Sequence, residues 1–250
     1  MKNIKKEEPL LKLNKLNKWY NEVHALKDFS CEIYPGEAVA LIGDNGAGKS
    51  TFAKILAGVV SKNSGQIFWK GKEVEITSIK YSRNLGIETV YQEQALTEQL
   101  TITRNVFLGR EITKHGFLSV LNTNLMQKKT KEVIDELGLR VPINQQVKFC
   151  SGGERQGVAV ARAFLFKAKL VILDEPTRGI SIEGVKRIVE FIEELKKEKI
   201  AVILISHIFP HIFPVTDRFI VLSRGKIISE KIQVETSPEE LSKIVIAKEH

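Results

Sequence analysis

The residues Gly43-Asp44-Asn45-Gly46-Ala47-Gly48-Lys49-Ser50 have the spacing G-x-x-x-x-G-K-[ST]. After a strand and at the start of a helix, such a run makes a loop that wraps phosphate oxygens in backbone N–H groups. The glycines let the chain turn inward, and the helix N-terminus adds a favourable dipole. Lys49 can reach the outer phosphates, and the Ser50 hydroxyl can ligate Mg²⁺. The stretch from Gly43 through Ser50 to Thr51 is therefore predicted to bind a nucleoside triphosphate.

Leu170-Val-Ile-Leu-Asp174-Glu175 is an apolar run that ends in two adjacent carboxylates. Acids at a buried strand end are costly unless they meet cations or protons there. Asp174 is placed to hold the Mg²⁺ shell, and Glu175 to point at an attacking water as general base. Ser206-His207 ends the next apolar run. A lone His in such a place reads first as structural. Its position at the same sheet edge assigns His207 a hydrogen bond to the terminal phosphate, or a sensor role for it. Ser151-Gly152-Gly153-Glu154-Arg155-Gln156 precedes a helical pattern. By itself this stretch reads first as a helix cap, and secondly as another anion nest.

These residues need a frame. Phe29, Cys31 and Ile33 alternate with polar residues, as in a half-buried strand. Pro35-Gly36 then predicts a turn. Glu37–Ile42, Leu170–Asp174 and Ala201–Ser206 are short apolar runs of the kind buried on both faces of a sheet. Phe52, Ile55, Leu56 and Val59 fall on one helix face. So do Ile182, Val185, Ile188, Val189, Ile192 and Leu195. Buried strands joined by helices predict an α/β fold with a mostly parallel sheet, whose chemistry gathers at the carboxyl ends of its strands. From about Thr101 to Phe166 the patterns are helical: Leu125, Met126, Val133, Ile134 and Leu137, then Val158, Ala161, Phe164 and Leu165. This predicts a helical subdomain inserted at about 95–167. Ser237-Pro238-Glu239-Glu240 is a good helix start.

Composition sets limits on all of this. With 250 residues, 43% hydrophobic and 27% charged, the chain suits one domain carrying an insertion. No apolar run approaches the length of a membrane span, the charged N-terminus lacks a secretion signal's apolar core, and two cysteines make no disulfide framework. The expected location is cytosolic. Half of the net charge of +8 lies in residues 1–18, which hold six Lys and two Glu. Residues 1–10 read as a basic, solvated tail, and 11–250 as the folded domain.

Taken in order, these motifs resemble the nucleotide-binding subunit of ATP-binding cassette (ABC) transporters, from about Leu11 to Ile228. Residues 43–50 match Walker A and Leu170–Glu175 Walker B. Ser151-Gly-Gly-Glu-Arg-Gln matches the signature, Gln92 in Val90-Tyr-Gln-Glu93 the Q-loop, and His207 the switch histidine. Val90-Tyr-Gln-Glu and Leu100–Glu111 look like the ATPases of bacterial simple-sugar importers. The chain departs from that pattern at Cys150, where Leu is usual, at Arg104 before Asn105, and at Gly179-Ile-Ser-Ile182, which lacks the D-loop Asp.

The resemblance implies a P-loop NTPase fold with an antiparallel N-terminal β part, and ATP and Mg²⁺ as cofactors. It implies Tyr20 as the ring stacked on adenine, with Trp19 as the alternative, and Ser151, Gly152, Gly153 and Glu154 as ATP contacts made across a head-to-tail dimer. Glu175, His207 and Gln92 would be catalytic; Ser50, Gln92 and Asp174 would hold Mg²⁺. The implied partners are a second cassette, a membrane permease at whose cytoplasmic face the chain would sit, and an extracytoplasmic sugar-binding protein. No nucleic acid is expected. Two rivals differ in class. An ATPase acting on nucleic acid or ribosomes is kept open by the basic balance. A small-molecule kinase is disfavoured by the Asp-Glu pair, because a kinase must exclude water rather than activate it.

Overall fold

The computed structural model describes residues 8–90, 96–114, 120–178 and 181–247. In chain order the first elements are β1 (Leu11–Tyr20), β2 (Val23–Ile33), β3 (Ala38–Gly43), α1 (Lys49–Leu56), β4 (Ser64–Trp69), β5 (Lys72–Glu73), α2 (Ile79–Leu85), β6 (Ile87–Val90) and α3 (Ile102–Val106). They are followed by α4 (Thr123–Glu136), α5 (Gly152–Leu165), β7 (Leu170–Asp174), α6 (Ile182–Lys197), β8 (Ala201–Ile205), β9 (Arg218–Ser223), β10 (Lys226–Ile232) and α7 (Pro238–Ile246).

Two sheets organise these elements. The six-stranded sheet has the order β10-β9-β3-β8-β7-β6. Its strands from β9 to β6 are parallel, and β10 is an antiparallel edge. All of β3 and β8 is buried, as their unbroken apolar sequences require in a sheet covered on both faces. The second sheet, β2-β1-β4-β5, is antiparallel. Its inward Leu11, Leu13, Leu16, Leu26, Phe29 and Ile33 share one core with β3 and α1. Leu10, at the end of the span read as tail, is already buried in that core, and its N–H bonds Ile33 O at 2.8 Å.

Arg218 on β9 ties the two sheets together. It pairs with Glu37 (2.8 Å) and donates to the Glu32 carbonyl on β2 (2.6 Å). On the opposite face, α5, α6 and α7 cover the parallel sheet. A third apolar cluster joins α3, α4 and α5 through Ile102, Val106, Met126, Val133 and Val158. A buried Glu88–Arg110 ion pair links β6 to the turn after α3, and Arg110 lies 4.3 Å from the centroid of the Phe166 ring.

Three residues placed on apolar helix faces are out of the core. Val59 is 48% exposed, because α1 stops at Leu56 and Gly58 turns away with φ 73°. Ile182 is 86% exposed in the first turn of α6, and Leu125 stands at the surface of α4. A helical period marks a face, but it does not say where the covering layer ends.

Candidate nucleotide site

The carboxyl end of β3 runs into the Gly43–Ser50 loop, and α1 begins at Lys49. Gly48 precedes the helix with φ 109°, and a Cβ there would lie 2.6 Å from Ala25 O. Only glycine fits that approach of loop to β2. The loop is gripped from a second side: Gly225, in the β9–β10 turn, donates its N–H to Ala47 O (2.9 Å), and Lys27 donates to Gly225 O (2.8 Å).

Lys49 is buried and its ammonium donates to Gly43 O (2.6 Å) and Asp44 O (2.8 Å). Burial pushes its pKa down, while Glu175, Asp44 and Asp174 pull it back up. Asp174 shows the mirror image. Burial, then the neighbouring Glu175, raise its carboxyl above the usual range, and Lys49 and Lys54 counter that. Lys49, Ser50, Thr51, Asp174 and Glu175 line one cavity of about 640 Å³, which also reaches Val23, His24 and Ala25 on β2.

Glu175 leaves β7 in the left-handed region, φ 53°, with its N–H on Ile205 O (2.7 Å). A non-glycine residue held there is strained and is worth a functional explanation. The twist turns its carboxylate toward His207, whose Nδ1 lies 2.7 Å from Oε2 and whose backbone N–H lies 3.2 Å from Oε1. A second cavity of about 280 Å³, lined by Gly43, Asp44, Asn45 and His207, shares Asn45 and Glu175 with the first.

Sequence reasoning thus named residues that the fold brings together: Asn45 to Thr51, Asp174 and Glu175 in one cavity, with Gly43, Asp44 and His207 bordering its neighbour. Tyr20 stands at the end of β1, paired in register with Val23 and 39% exposed, outside the residues that line the cavity. Trp19 stacks at 3.8 Å on His24, which lines that cavity, and Lys18 Nζ lies 5.1 Å from the centroid of the Tyr20 ring. Gln92 lies outside the described residues, as do Gly179 and Ile180 of the predicted D-loop.

The Ser151 stretch lies apart from all of these. It borders its own cavity of about 290 Å³ with Ser181, Gly184 and Arg187. The reciprocal hydrogen bonds of a capping box fix the start of α5: Glu154 N–H to Ser151 Oγ (3.3 Å) and Ser151 N–H to Glu154 Oε2 (2.7 Å). One oxygen of the Glu154 carboxylate, Oε2, is thus engaged by its own helix.

Two residues were missed. Arg178 lines both the 640 Å³ and the 280 Å³ cavities, and Arg224 on the β9–β10 turn lines the first. Neither belongs to a short motif; only the turns that carry them bring them here.

The comparisons agree with this geometry. The family described as ABC transporter matches residues 26–178. The xylose/arabinose import ATP-binding protein XylG of Sulfolobus acidocaldarius is 43% identical over 237 residues, 94% of this chain and 93% of its own. The fructose import ATP-binding protein FrcA of Rhizobium meliloti is 43% identical over 88% of this chain and 87% of its own. The ribose import ATP-binding protein RbsA of Caldanaerobacter subterraneus is 36% identical over 97% of this chain, which spans 48% of that protein. Among solved structures, the ADP conformation of MJ1267, an ATP-binding cassette, superposes with a TM-score of 0.81 at 21% identity over 96% of both chains. CbiO1 of Clostridium perfringens superposes with a TM-score of 0.76 at 27% identity over 97% of this chain and 92% of its own. With its P-loop, its paired strand-end carboxylates and its signature helix in these places, the chain belongs to the ABC transporter family, as one of its ATP-binding cassettes.

Proposed function

We propose that this chain hydrolyses ATP to drive import of a monosaccharide through a separate membrane permease. The observation that carries the reading is the cavity in which Lys49, Ser50, Asp174 and Glu175 converge. The substrate class rests on the sugar-import relatives at 43% identity over nearly their whole lengths.

Each residue then has a task. The Gly43–Thr51 backbone and Lys49 hold the phosphates, and burial of the ammonium makes its attraction to them stronger than it would be in water. Tyr20 covers the adenine, with Trp19, stacked on the cavity-lining His24, as the alternative. Glu175 takes the proton of the attacking water, and His207 holds that carboxylate in line through its Nδ1 and backbone N–H. The water's oxygen joins the terminal phosphorus, the bond to the ADP oxygen breaks, and ADP and inorganic phosphate leave.

Magnesium fits the donors present. Asp174 and Ser50 offer hard oxygens in one cavity, and a carboxylate that burial makes costly to ionise gains from a cation. No cluster of three or more His, Cys, Asp or Glu able to hold a metal occurs among the described residues. This suits a cation held by one or two protein oxygens and the substrate's phosphates. When bound, Mg²⁺ would neutralise charge on those phosphates; Asp174 and Ser50 would hold it, with Gln92 as the further ligand.

The signature is proposed to serve a second copy. Ser151, Gly152 and Gly153 line a cavity that shares no described residue with the P-loop cavity, and two copies head to tail would complete two sites. Glu154 enters that scheme through the capping box that orients Ser151. The permease would hold the dimer at the membrane's inner face; no described helix is long and apolar enough to cross a membrane. A sugar-binding protein would deliver the substrate on the far side.

Deleting the gene and measuring uptake of labelled xylose, ribose and fructose tests the whole reading. Loss of one uptake, restored by the parent gene and not by Glu175→Gln, is expected. Unchanged uptake of all three overturns the monosaccharide assignment. ATPase activity stimulated by DNA or ribosomes would move the chain to the nucleic-acid reading.

A further inference from the structure

Arg178 follows Asp174-Glu175-Pro176-Thr177, at the end of a turn closed by its own N–H on Glu175 O (3.2 Å). Glu175 enters this turn in the left-handed region, with φ 53°. Arg178 lines both cavities of the site. Among the described residues, only Asn45, Glu175 and Arg178 are shared between the two linings. One cavity has Lys49, Ser50 and Asp174 in its wall, and the other has His207. Arg178 thus stands with the base at the divide, where the outer end of a nucleotide bound by the P-loop would lie.

We infer that Arg178 is a further phosphate-contacting residue, a guanidinium from the same chain that grips the terminal phosphate across Glu175 from Lys49. The argument rests on the nucleotide reading above and on charge. Two carboxylates, Asp174 and Glu175, share the cavity that must receive a polyanion. A divalent cation at Asp174 answers one of them, and Lys27, Lys49 and Arg224 share that cavity; of its described cations, only Arg178 also lines the second cavity, with Glu175 and His207. Glu175 and Arg178 line both cavities, so a guanidinium there stands beside the carboxylate that an approaching phosphate would meet. Guanidinium suits this post because it keeps its charge at every working pH and offers a planar pair of donors to phosphate oxygens. Lys49, by contrast, is a point charge whose pKa burial lowers.

The discriminating measurement is ATP against ADP affinity, read by displacement of trinitrophenyl-ATP in the presence of Mg²⁺, with Glu175→Gln as the background so that nothing is hydrolysed. In that background Arg178→Ala should weaken ATP about tenfold and change ADP by less than about twofold, with Arg178→Lys recovering part of the loss. A purely structural role would lower both affinities together. Equal losses for ATP and ADP, or no loss for either, overturn the inference. Should Arg178→Ala fail to fold, as judged by its melting curve, Arg178→Gln and Arg178→Lys supply the same comparison. If the Glu175→Gln parent with Arg178 intact binds neither nucleotide, the nucleotide reading itself has failed, and that result is separate from the Arg178 test.

Discussion

The P-loop and the signature helix are both glycine-rich entries into helices, yet the fold treats them differently. The P-loop is fixed by its surroundings. Gly48 packs against Ala25 O, Gly225 bonds Ala47, and Lys49 is buried with two backbone partners. At the signature, Ser151 and Gly152 are exposed; a capping box closes the first turn, and Arg155 ties it to Cys150 O (3.2 Å), Lys148 O (3.3 Å) and Glu98 (2.8 Å). A Cβ at Gly153 would meet nothing closer than 3.9 Å, so no packing demands glycine there. One end lines the cavity proposed to receive the nucleotide, and the other is the end proposed above to complete a site on another copy.

That contrast breaks first at Glu175. Glu175→Gln keeps the shape of the P-loop cavity and removes the proton acceptor. Hydrolysis should fall about 10²–10⁴-fold while Mg·ATP still binds, measured by phosphate release and by nucleotide displacement. Near-normal turnover would strip Glu175 of its role and leave the strained φ unexplained. Lys49→Ala comes next. It removes a charged, buried hydrogen-bond donor, so ATP affinity should drop about 10–100-fold, with loss of the thermal shift that ATP gives the parent. Unchanged affinity would mean that the loop's N–H groups bind without it.

Ser151→Ala sharpens the other side. The lost cap should cost about 0.5–2 kcal/mol of stability. ATP affinity of the monomer should stay at the parent value, because Ser151 does not border the P-loop cavity. The ATP-driven shift from monomer to dimer in light scattering, and the hydrolysis that depends on it, should fall. A drop in monomer ATP affinity would place the signature in its own chain's site and undo the comparison.

The two ends were also unequally legible. The P-loop is local: eight consecutive residues set both its glycines and its lysine. Strands β7 and β8 announced themselves because double burial leaves an unbroken apolar run. Strand β1 did not. Lys15 has φ 47° and the register shifts between Leu13 and Leu16, so its inward leucines fall two and then three residues apart and the alternation is lost. The Glu175–His207 contact and the place of Arg178 depend on a left-handed turn at Glu175, a conformation that no residue type there advertises. The capping box at Ser151 and Glu154 was written in the sequence as a helix start. That Glu154 Oε2 accepts from the Ser151 N–H needed the hydrogen bonds.

The smallest effect concerns Asp174. Its carboxyl is raised above its ordinary value by burial and by Glu175, so the folded protein holds a proton there at a pH where the unfolded chain has lost it. In that window the folded state binds more protons, and stability falls as pH rises from the unfolded value through the folded one. Above the window the full cost of an ionised, desolvated carboxylate is present. Asp174→Asn removes that cost. Without nucleotide, the variant should melt about 1–3 °C above the parent at pH 7.5. The gap should close as the pH is lowered toward the ordinary carboxylate range, where the parent's Asp174 is also neutral. Addition of Mg·ATP should reverse the order, because the parent gains a cation partner and the variant cannot. If the variant is less stable than the parent at every pH, Asp174 is a structural cap of the turn after β7. The carboxylate pair would then have to be read as architecture rather than as a site held ready for a cation.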